Sequence, residues 1–446
     1  MSWPAGNPLR PLLGFGYWVQ GFQCFPWMGV SFFLKDSLNA APSTLQLLQT
    51  LADIPKIIKW FHGIVSDAIY IRGQHRIPYI AIGDQDWKED EQLLDLSMRN
   101  ELEEEPVPSA TSWLSIGYFP SSGISIFTIT LLLCVSNLGA SIVEVVHEAL
   151  VTEVGRQMSQ SSPSTGLKSF VMVASSVGGV FGNFLSIRGI KHYSPKRMFV
   201  AFGLLLSVQL LTTFTVHESS LDLPKSASDS GIQEKFFELS IALCEPKILY
   251  AIAWYATSYA IVPSFKGTMF FHQTQHLNLA PSVLVYSSLF GEAATLLWSI
   301  TYSYNQRLQS VPPGELISIV QVIMALFKFS NVLFVNGFYK KIGIEDSLYV
   351  VIFLGLSDVL SGFRWLPFSV ILAKLCPQGC EGSLMAFVMS SIELAYFICR
   401  TLGIALMILL GISENDFSKL PEAILIQVIF TLLPLCWSSC ILIGVS

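Results

Sequence analysis

The chain has 446 residues, of which 52% are hydrophobic and only 13% are charged, and its net charge is −6. Soluble proteins carry roughly 25% charged residues, so this composition excludes an ordinary soluble protein and indicates a chain that lies largely in lipid. The sequence has no basic stripe, which excludes a nucleic-acid partner. Its eight cysteines form no CxxC pair, so we predict neither a metal site nor a cofactor.

Apolar runs near the roughly 20 residues that a helix needs to cross a bilayer recur along the whole chain. They predict spans at 12–34, 43–65, an interrupted third position, 124–150, 167–187, 198–216, 247–271, 281–303, 315–337, 348–374, 383–411 and 422–444. We therefore predict an all-α integral membrane protein with about twelve transmembrane helices. The polar stretch at 217–246 is predicted to be a linker between two six-helix halves, 1–216 and 247–446.

The third span is interrupted by an acidic insertion. Residues 77–83 begin an apolar run, but residues 84–111 contain ten acidic side chains against Lys88 and Arg99. At roughly 2.5 to 3.5 kcal/mol per charge in the bilayer centre, this block must lie in water. One explanation is a disordered acidic loop. We favour the other, a span whose middle has been replaced, as in an aberrant splice form or a faulty gene model.

Several separated motifs occur in a fixed order along the chain. The first includes Tyr-Trp-Val-Gln-Gly at 17–21, and a later one is Leu-Cys-Pro-Gln-Gly-Cys-Glu-Gly at 375–382. The others are at 30–36, 54–60, 63–67, 72–79, 136–141, 148–153, 262–264 and 383–387. Together they resemble the folate-biopterin transporter family, a branch of the major facilitator superfamily, over nearly all of the chain except 84–111.

The resemblance implies a major-facilitator-like fold, cytoplasmic termini, a cytoplasmic linker and proton-coupled movement of folates or pterins. The distribution of basic residues adds little, because ten would lie on one side and eight on the other. The resemblance also implies a conformational latch between helices two and three, formed by Gly63, Asp67 and Arg76. The alternative for these three residues is an ordinary polar turn.

Ionisable side chains inside a span are costly, so each one is a functional hypothesis. On the second helix, Asp53, Lys56 and Lys59 step by three residues and share one face, and Pro55 can loosen the backbone between them. We expect this face to line a cavity. The alternative is an Asp-Lys pair within the helix that only neutralises itself.

The fourth helix carries a polar stripe of Asn137, Ser141, Glu144 and Glu148, with His147 beside it. We expect the stripe to face the translocation path. Because two carboxylates on adjacent turns repel each other, one should bind a proton more tightly, so Glu144, His147 and Glu148 are predicted to couple transport to protons. The alternatives are a stripe that only bonds a neighbouring helix, and half of a di-iron motif whose second half is absent.

The second half has its own buried charges. Lys266 follows a proline break on helix seven, Asp358 and Arg364 lie on helix ten, and Glu393 and Arg400 lie on one face of helix eleven, where they can pair. The amino edge of a pterin ring suits a carboxylate, a carboxylated tail suits a base, and rings can stack on Trp254 or Tyr259, which could instead face lipid. The predicted substrate-binding residues are Asp53, Lys56, Glu144, Glu148, Lys266, Asp358, Arg400, Trp254 and Tyr259.

These observations predict a secondary active transporter of folate- or pterin-type solutes that works by alternating access and is coupled to protons. Its partners would be the small-molecule substrate and the lipid bilayer, and we predict a monomer. The N-terminus shows no transit peptide, so the membrane is not specified. The alternatives are a same-fold carrier for an unrelated solute and a non-transporting or aberrant membrane product. No paired-Asp, Ser-His or His-Glu-x-x-His pattern supports an enzyme.

Overall fold

The computed structural model describes residues 9–69, 76–84, 109–119, 125–159, 165–216, 231–375, 381–413 and 416–437. These ranges are helical and contain no β-strand. Eight of their helices are long and apolar enough to cross a bilayer. We number the twelve predicted spans TM1 to TM12 in chain order, and these eight are TM4, TM5, TM6 and TM8 to TM12.

In the first half, the continuous helices are TM4 at Ile126–Ser159, TM5 at Thr165–His192 and TM6 at Pro195–Thr215. TM1 and TM2 are each built from successive segments. TM1 comprises Leu9–Phe22, Cys24–Phe32 and a π-turn at Phe33–Ser37. TM2 comprises Pro42–Ala52, a 3₁₀ turn at Ile54–Ile58 and Lys59–Ala68. The 3₁₀ turn contains Pro55, which lacks the N–H that a continuous helix would use.

TM3 consists of two short helices, Ile77–Asp84 and Ser109–Tyr118. Both contact TM4 and TM6, and they also contact each other, so together they occupy the position of one span. The second piece packs tightly, because a Cβ on Gly117 would lie 2.4 Å from a methyl group of Val200 in TM6. Residues 85–108, most of the predicted acidic insertion, lie outside the described part of the chain.

A helix at Ile232–Cys244 precedes the second half and packs against the end of TM2, TM7 and TM11. It lies within the predicted linker, of which residues 217–230 are outside the described ranges. TM7 comprises Pro246–Ala260, Lys266–Phe271 and a π-turn at His272–His276.

The remaining helices complete the second half. TM8 spans Pro281–Tyr304, TM9 spans Pro313–Val335 and TM11 spans Glu381–Leu410. TM10 runs through Asp346–Tyr349, Val350–Leu354, Gly355–Val359, Gly362–Arg364 and Trp365–Leu375. TM12 comprises Leu420–Leu432 and the turn Leu433–Trp437. Short helices at Gln306–Ser310 and Phe338–Lys341 join TM8 to TM9 and TM9 to TM10.

The two halves meet mainly where TM2 packs on TM11 and TM5 packs on TM8, and TM4 also contacts TM11 while TM2 contacts TM7. Large apolar side chains cover the outside of the bundle, and those of Phe127, Leu211 and Leu409 are 76%, 64% and 81% exposed. An outer surface of this kind requires lipid rather than water. Many polar and charged side chains of the spans, among them Asn137, Gln321 and Arg364, are instead buried between helices.

Candidate functional site

A cavity of about 660 Å³ lies mainly among the helices of the second half, with TM1 and TM2 of the first half on one side. A neighbouring cavity of about 520 Å³ shares several wall residues with it and extends toward TM2 and TM5. Six of the nine predicted substrate-binding residues lie on these walls, namely Asp53, Lys56, Tyr259, Lys266, Asp358 and Arg400.

The break in TM7 gives one wall its shape. Pro263 cannot donate a helical hydrogen bond, and the groups freed by the break are bonded by other helices. The N–H of Ser264 donates to the carbonyl of Cys399 at 2.9 Å, and Gln427 donates to the carbonyl of Pro263 at 2.6 Å. Lys266 begins the helix that follows the break and reaches both cavities.

Gln46 of TM2 holds the TM7 break from the opposite half. Its amide nitrogen donates to the carbonyls of Ser264 at 2.8 Å and Arg400 at 3.1 Å, and its amide oxygen accepts the N–H of Gly267 at 3.1 Å. The side chain is buried. Sequence reasoning missed Gln46, because a lone glutamine carries no charge to mark it as costly in a span.

Asp53 is saturated with donors in this conformation. Lys56 lies 2.9 Å from one carboxylate oxygen, Asn137 donates to the same oxygen at 3.1 Å, and Arg400 of TM11 forms an ion pair with the other oxygen. The Asp53–Lys56 pair is the alternative considered from the sequence, here with a further cation from the other half. Asp53 would therefore contact a solute only after one of these bonds opens.

Lys59 joins the two halves through a second ion-pair cluster. Its ammonium lies 2.6 Å from Glu144 of TM4 and 3.1 Å from Glu393 of TM11, and the lysine is only 2% exposed. The expectation that Glu393 could pair with Arg400 is wrong, because each of them bonds to TM2 instead. Asp53 of TM2 thus pairs with Arg400 of TM11, and Lys59 of TM2 pairs with Glu393 of TM11. We call these two clusters the inter-half charge ladder.

The C-terminal part of the TM4 stripe, His147 and Glu148, is bonded to TM1 and TM5. Glu148 accepts a hydrogen bond from Tyr17 at 2.7 Å and pairs with Lys168 at 3.0 Å, while His147 lies 3.0 Å from the amide of Gln20. Since Lys59 lies beside Glu144 and Lys168 lies beside Glu148, the repulsion between these two glutamates that was argued from the sequence is offset in this conformation. Neither glutamate lies on the cavity walls.

Trp254 also lies away from the cavities. Its indole N–H donates to the carbonyl of Pro434 in TM12 at 3.2 Å, and the ring is buried in a cluster of TM7, TM10 and TM11 side chains. Tyr259, one turn and a residue later, does reach the cavity wall, and its hydroxyl donates to the carbonyl of Ser361 at 2.7 Å.

Two of the three predicted latch residues, Gly63 and Asp67, contact the second half, and the third, Arg76, pairs with Asp67. Asp67 pairs with Arg76 at 2.7 Å and accepts a hydrogen bond from Ser383 at the start of TM11. Gly63 lets TM2 and TM11 approach closely, because a Cβ at this position would lie 2.4 Å from the Cβ of Ala386. The geometry is compatible with a contact that holds the halves together, which stays a prediction.

Two charged wall residues were overlooked in the sequence. Glu292 of TM8 and Lys328 of TM9 both line the larger cavity. Each is the one charged residue in the interior of its predicted span, which is the same signal that singled out Lys266. Arg364 of TM10 also reaches the cavity and is fully buried.

Comparisons with known proteins agree with this architecture. The sequence model of the BT1 family matches residues 20–84 and 106–444, and thus leaves out most of the acidic insertion. The chain is 44% identical to probable folate-biopterin transporter 7 of Arabidopsis thaliana, with 97% of this chain and 93% of that protein covered. It is 36% identical to probable folate-biopterin transporter 8, chloroplastic, of the same plant, over 97% and 76% of the two chains.

Solved structures show the same fold at low sequence identity. A crystal structure of a D-xylose-proton symporter aligns with a TM-score of 0.66 at 14% identity, covering 96% of both chains. A partially occluded inward-open conformation of the xylose transporter XylE from E. coli aligns at 0.62 and 12%, covering 97% and 96%. The predicted all-α, major-facilitator-like fold and the predicted family are therefore confirmed: the chain is a multi-pass membrane protein that belongs to the BT1 family, and its relatives reported above are named probable folate-biopterin transporters.

Proposed function

We propose that the protein is a secondary active transporter that carries folate- or pterin-type organic solutes by alternating access. The observation that carries this proposal is the cavity with a charged wall between two helical halves. Its volume of about 660 Å³ lies within the roughly 300–1,000 Å³ typical of small-molecule sites. The names of the relatives supply the solute class, and the inter-half charge ladder supplies contacts that must rearrange when one half rocks against the other.

Proton coupling is the finer part of this proposal, and Glu144 and Glu148 are its carriers. Glu144 shares Lys59 with Glu393, so a proton on Glu144 would remove one of the two charges that hold the lysine. Lys59 would then bind Glu393 alone, which changes the contact between the halves. Glu148 with Lys168 can be neutralised in the same way. His147 would supply a second titrating group beside them.

Uptake into vesicles containing the purified full chain tests both parts. We expect labelled folate or biopterin to accumulate when the outside is made more acidic than the inside. Replacing both glutamates in Glu144→Gln/Glu148→Gln should abolish the response to the pH gradient, because both proposed proton carriers are then neutral amides. Glu422→Gln, which alters an exposed pair with Lys419, is the control. Accumulation that ignores the gradient, or that the double variant leaves unchanged, would contradict proton coupling.

A non-transporting membrane product is the second candidate, and the divided TM3 favours it. Each piece of TM3 is far shorter than the roughly 20 residues of a span, and the family model leaves 85–105 unmatched. A variant that lacks residues 85–108 would join the two pieces. If only this deletion variant takes up solute, the full chain is a non-transporting form. Equal uptake by both chains would show that the insertion is tolerated.

A further inference from the structure

The charged residues on the walls of the two cavities fall into two groups. The walls carry five basic and three acidic side chains. Asp53, Lys56 and Arg400 bind one another. Over the described ranges of the chain the other five form no ion pair, and they are Lys266, Glu292, Lys328, Asp358 and Arg364. The cavity therefore holds charges that no described residue pairs, with an excess of positive charge.

Arg364 is the most deeply buried of these five charged side chains. Its side chain is fully buried, and one terminal nitrogen donates to Ser258 at 3.0 Å and to Gln321. The guanidinium carbon lies 3.9 Å from the ring centre of Tyr259, which is favourable for a cation. Its other terminal nitrogen and its Nε have no acceptor within the described part of the chain. A buried cation with free donors and no carboxylate is costly unless an anion completes it.

Lys328 lines the same cavity as Arg364. It is on TM9, which contacts the turn Gly362–Arg364 of TM10, and both side chains line the same cavity. The planar fork of an arginine can bind both oxygens of one carboxylate, and a lysine adds a point charge to a second one. Together the two cations have the charge to bind a group that carries one or two carboxylates once the side chain of Arg364, which is fully buried here, becomes accessible to a solute.

We propose that Arg364 and Lys328 form the carboxylate-binding end of the cavity and select carboxylated solutes over neutral pterins. The inference rests on the proposed transport function and names the part of the substrate that these two residues recognise. Folate ends in a glutamate with two carboxylates, whereas biopterin shares the ring and has no carboxylate. Asp358 and Glu292 remain on the same wall for the amino edge of the ring, which both solutes present.

Parallel uptake of labelled folate and labelled biopterin into vesicles containing the full chain tests this selection. In Lys328→Gln and Arg364→Gln, we expect the KM for folate to rise about 10- to 100-fold, which is the range for losing a hydrogen bond to a charged group. The KM for biopterin should stay within about twofold. Lys328→Arg should keep most of the folate uptake, because the charge remains. Lys341→Gln, an exposed lysine at the end of Phe338–Lys341, is the matched control.

The possible results separate this inference from the proposed function. Equal loss of folate and biopterin uptake in Lys328→Gln, or no loss at all, would overturn the role in selection. Neither result would contradict the transport proposal. A wild-type chain that carries biopterin but not folate would do the same. A wild-type chain that carries neither solute would overturn the transport proposal, and this inference with it. If Arg364→Gln fails to fold, the comparison of Lys328→Gln with Lys328→Arg decides the question.

Discussion

Two charged regions of this protein follow opposite rules. In the inter-half charge ladder, Asp53 pairs with Arg400 and Lys59 pairs with both Glu144 and Glu393. On the cavity wall of the second half, Lys266, Lys328 and Arg364 are bound by no carboxylate from the described residues. Paired charges satisfy each other and hold helices together, whereas unpaired ones retain their capacity to bind a solute. The same cost of burying a charge thus produces a structural contact in one region and a candidate binding site in the other.

The largest effect should come from breaking the ladder at Lys59. Lys59→Met leaves Glu144 and Glu393 buried without a cation, and we expect it to lower the free energy of unfolding by about 3 to 5 kcal/mol. Chemical unfolding in detergent micelles measures this change. The matched control is Lys419→Met, which removes an exposed pair with Glu422 and should cost less than about 1 kcal/mol.

Neutralising Glu144 and Glu393 as well should restore the stability that Lys59→Met removes. The triple variant Lys59→Met/Glu144→Gln/Glu393→Gln leaves no unpaired charge in this cluster, so its stability should recover most of the loss even though both ion pairs are gone. A triple variant as unstable as Lys59→Met would show that the lysine acts through packing rather than charge.

Adding a side chain at Gly63, where TM2 and TM11 pack closely, should act mainly on transport. Gly63→Val places a side chain where a Cβ already lies 2.4 Å from Ala386, so the helices must separate and the proposed latch must weaken. We expect at least a tenfold loss of solute uptake. Gly231→Val, at a site with open space around it, is the control and should change little. Normal uptake by Gly63→Val would exclude the latch.

Removing an unpaired carboxylate should separate function from stability. Glu292→Gln breaks no ion pair within the described part of the chain, so the free energy of unfolding should change by less than about 1 kcal/mol while uptake falls. Glu393→Gln, which does break a pair, should destabilise the protein more. Unfolding and uptake are measured on the same preparations. A large loss of stability in Glu292→Gln would erase the distinction between the two regions.

The smallest effect concerns the predicted stacking residue Trp254. Trp254→Phe keeps the buried ring and loses one hydrogen bond to Pro434, so we expect a loss of about 1 kcal/mol in stability and no change in the KM for folate. A tenfold increase in KM would place the ring in the binding site after all. Tyr259→Phe, on the cavity wall, is the companion variant.

Much of the fold could be predicted because lipid imposes a simple rule on the sequence. Apolar stretches of span length located the helices, and the same rule identified Asp53, Lys266 and Arg400 as costly residues that line the cavities. The interruption of TM3 was also visible, since acidic residues cannot remain in hydrocarbon. Glu292 and Lys328 could have been found in the same way, because each is isolated in an apolar span.

Partners on other helices could not be predicted, because they come from distant parts of the chain. Helical spacing suggested that Glu393 would pair with Arg400 and that Glu144 would repel Glu148. The fold instead gives Glu393 to Lys59, which lies 334 residues away in sequence, and gives Glu148 to Lys168. Spacing along one helix shows which side chains share a face, but the helix that covers this face decides what they bind.

The sequence by itself determined that the chain is a helical membrane protein of two halves. It also determined which charged side chains are costly enough to require a partner or a function, because the cost of a charge in lipid depends on its position along a span. The tertiary structure alone decided which of these charges neutralise each other across the halves and which face the cavity. That division depends on distances between helices, and it separates the ladder that holds TM2 to TM11 from the unpaired bases that we propose recognise a carboxylate.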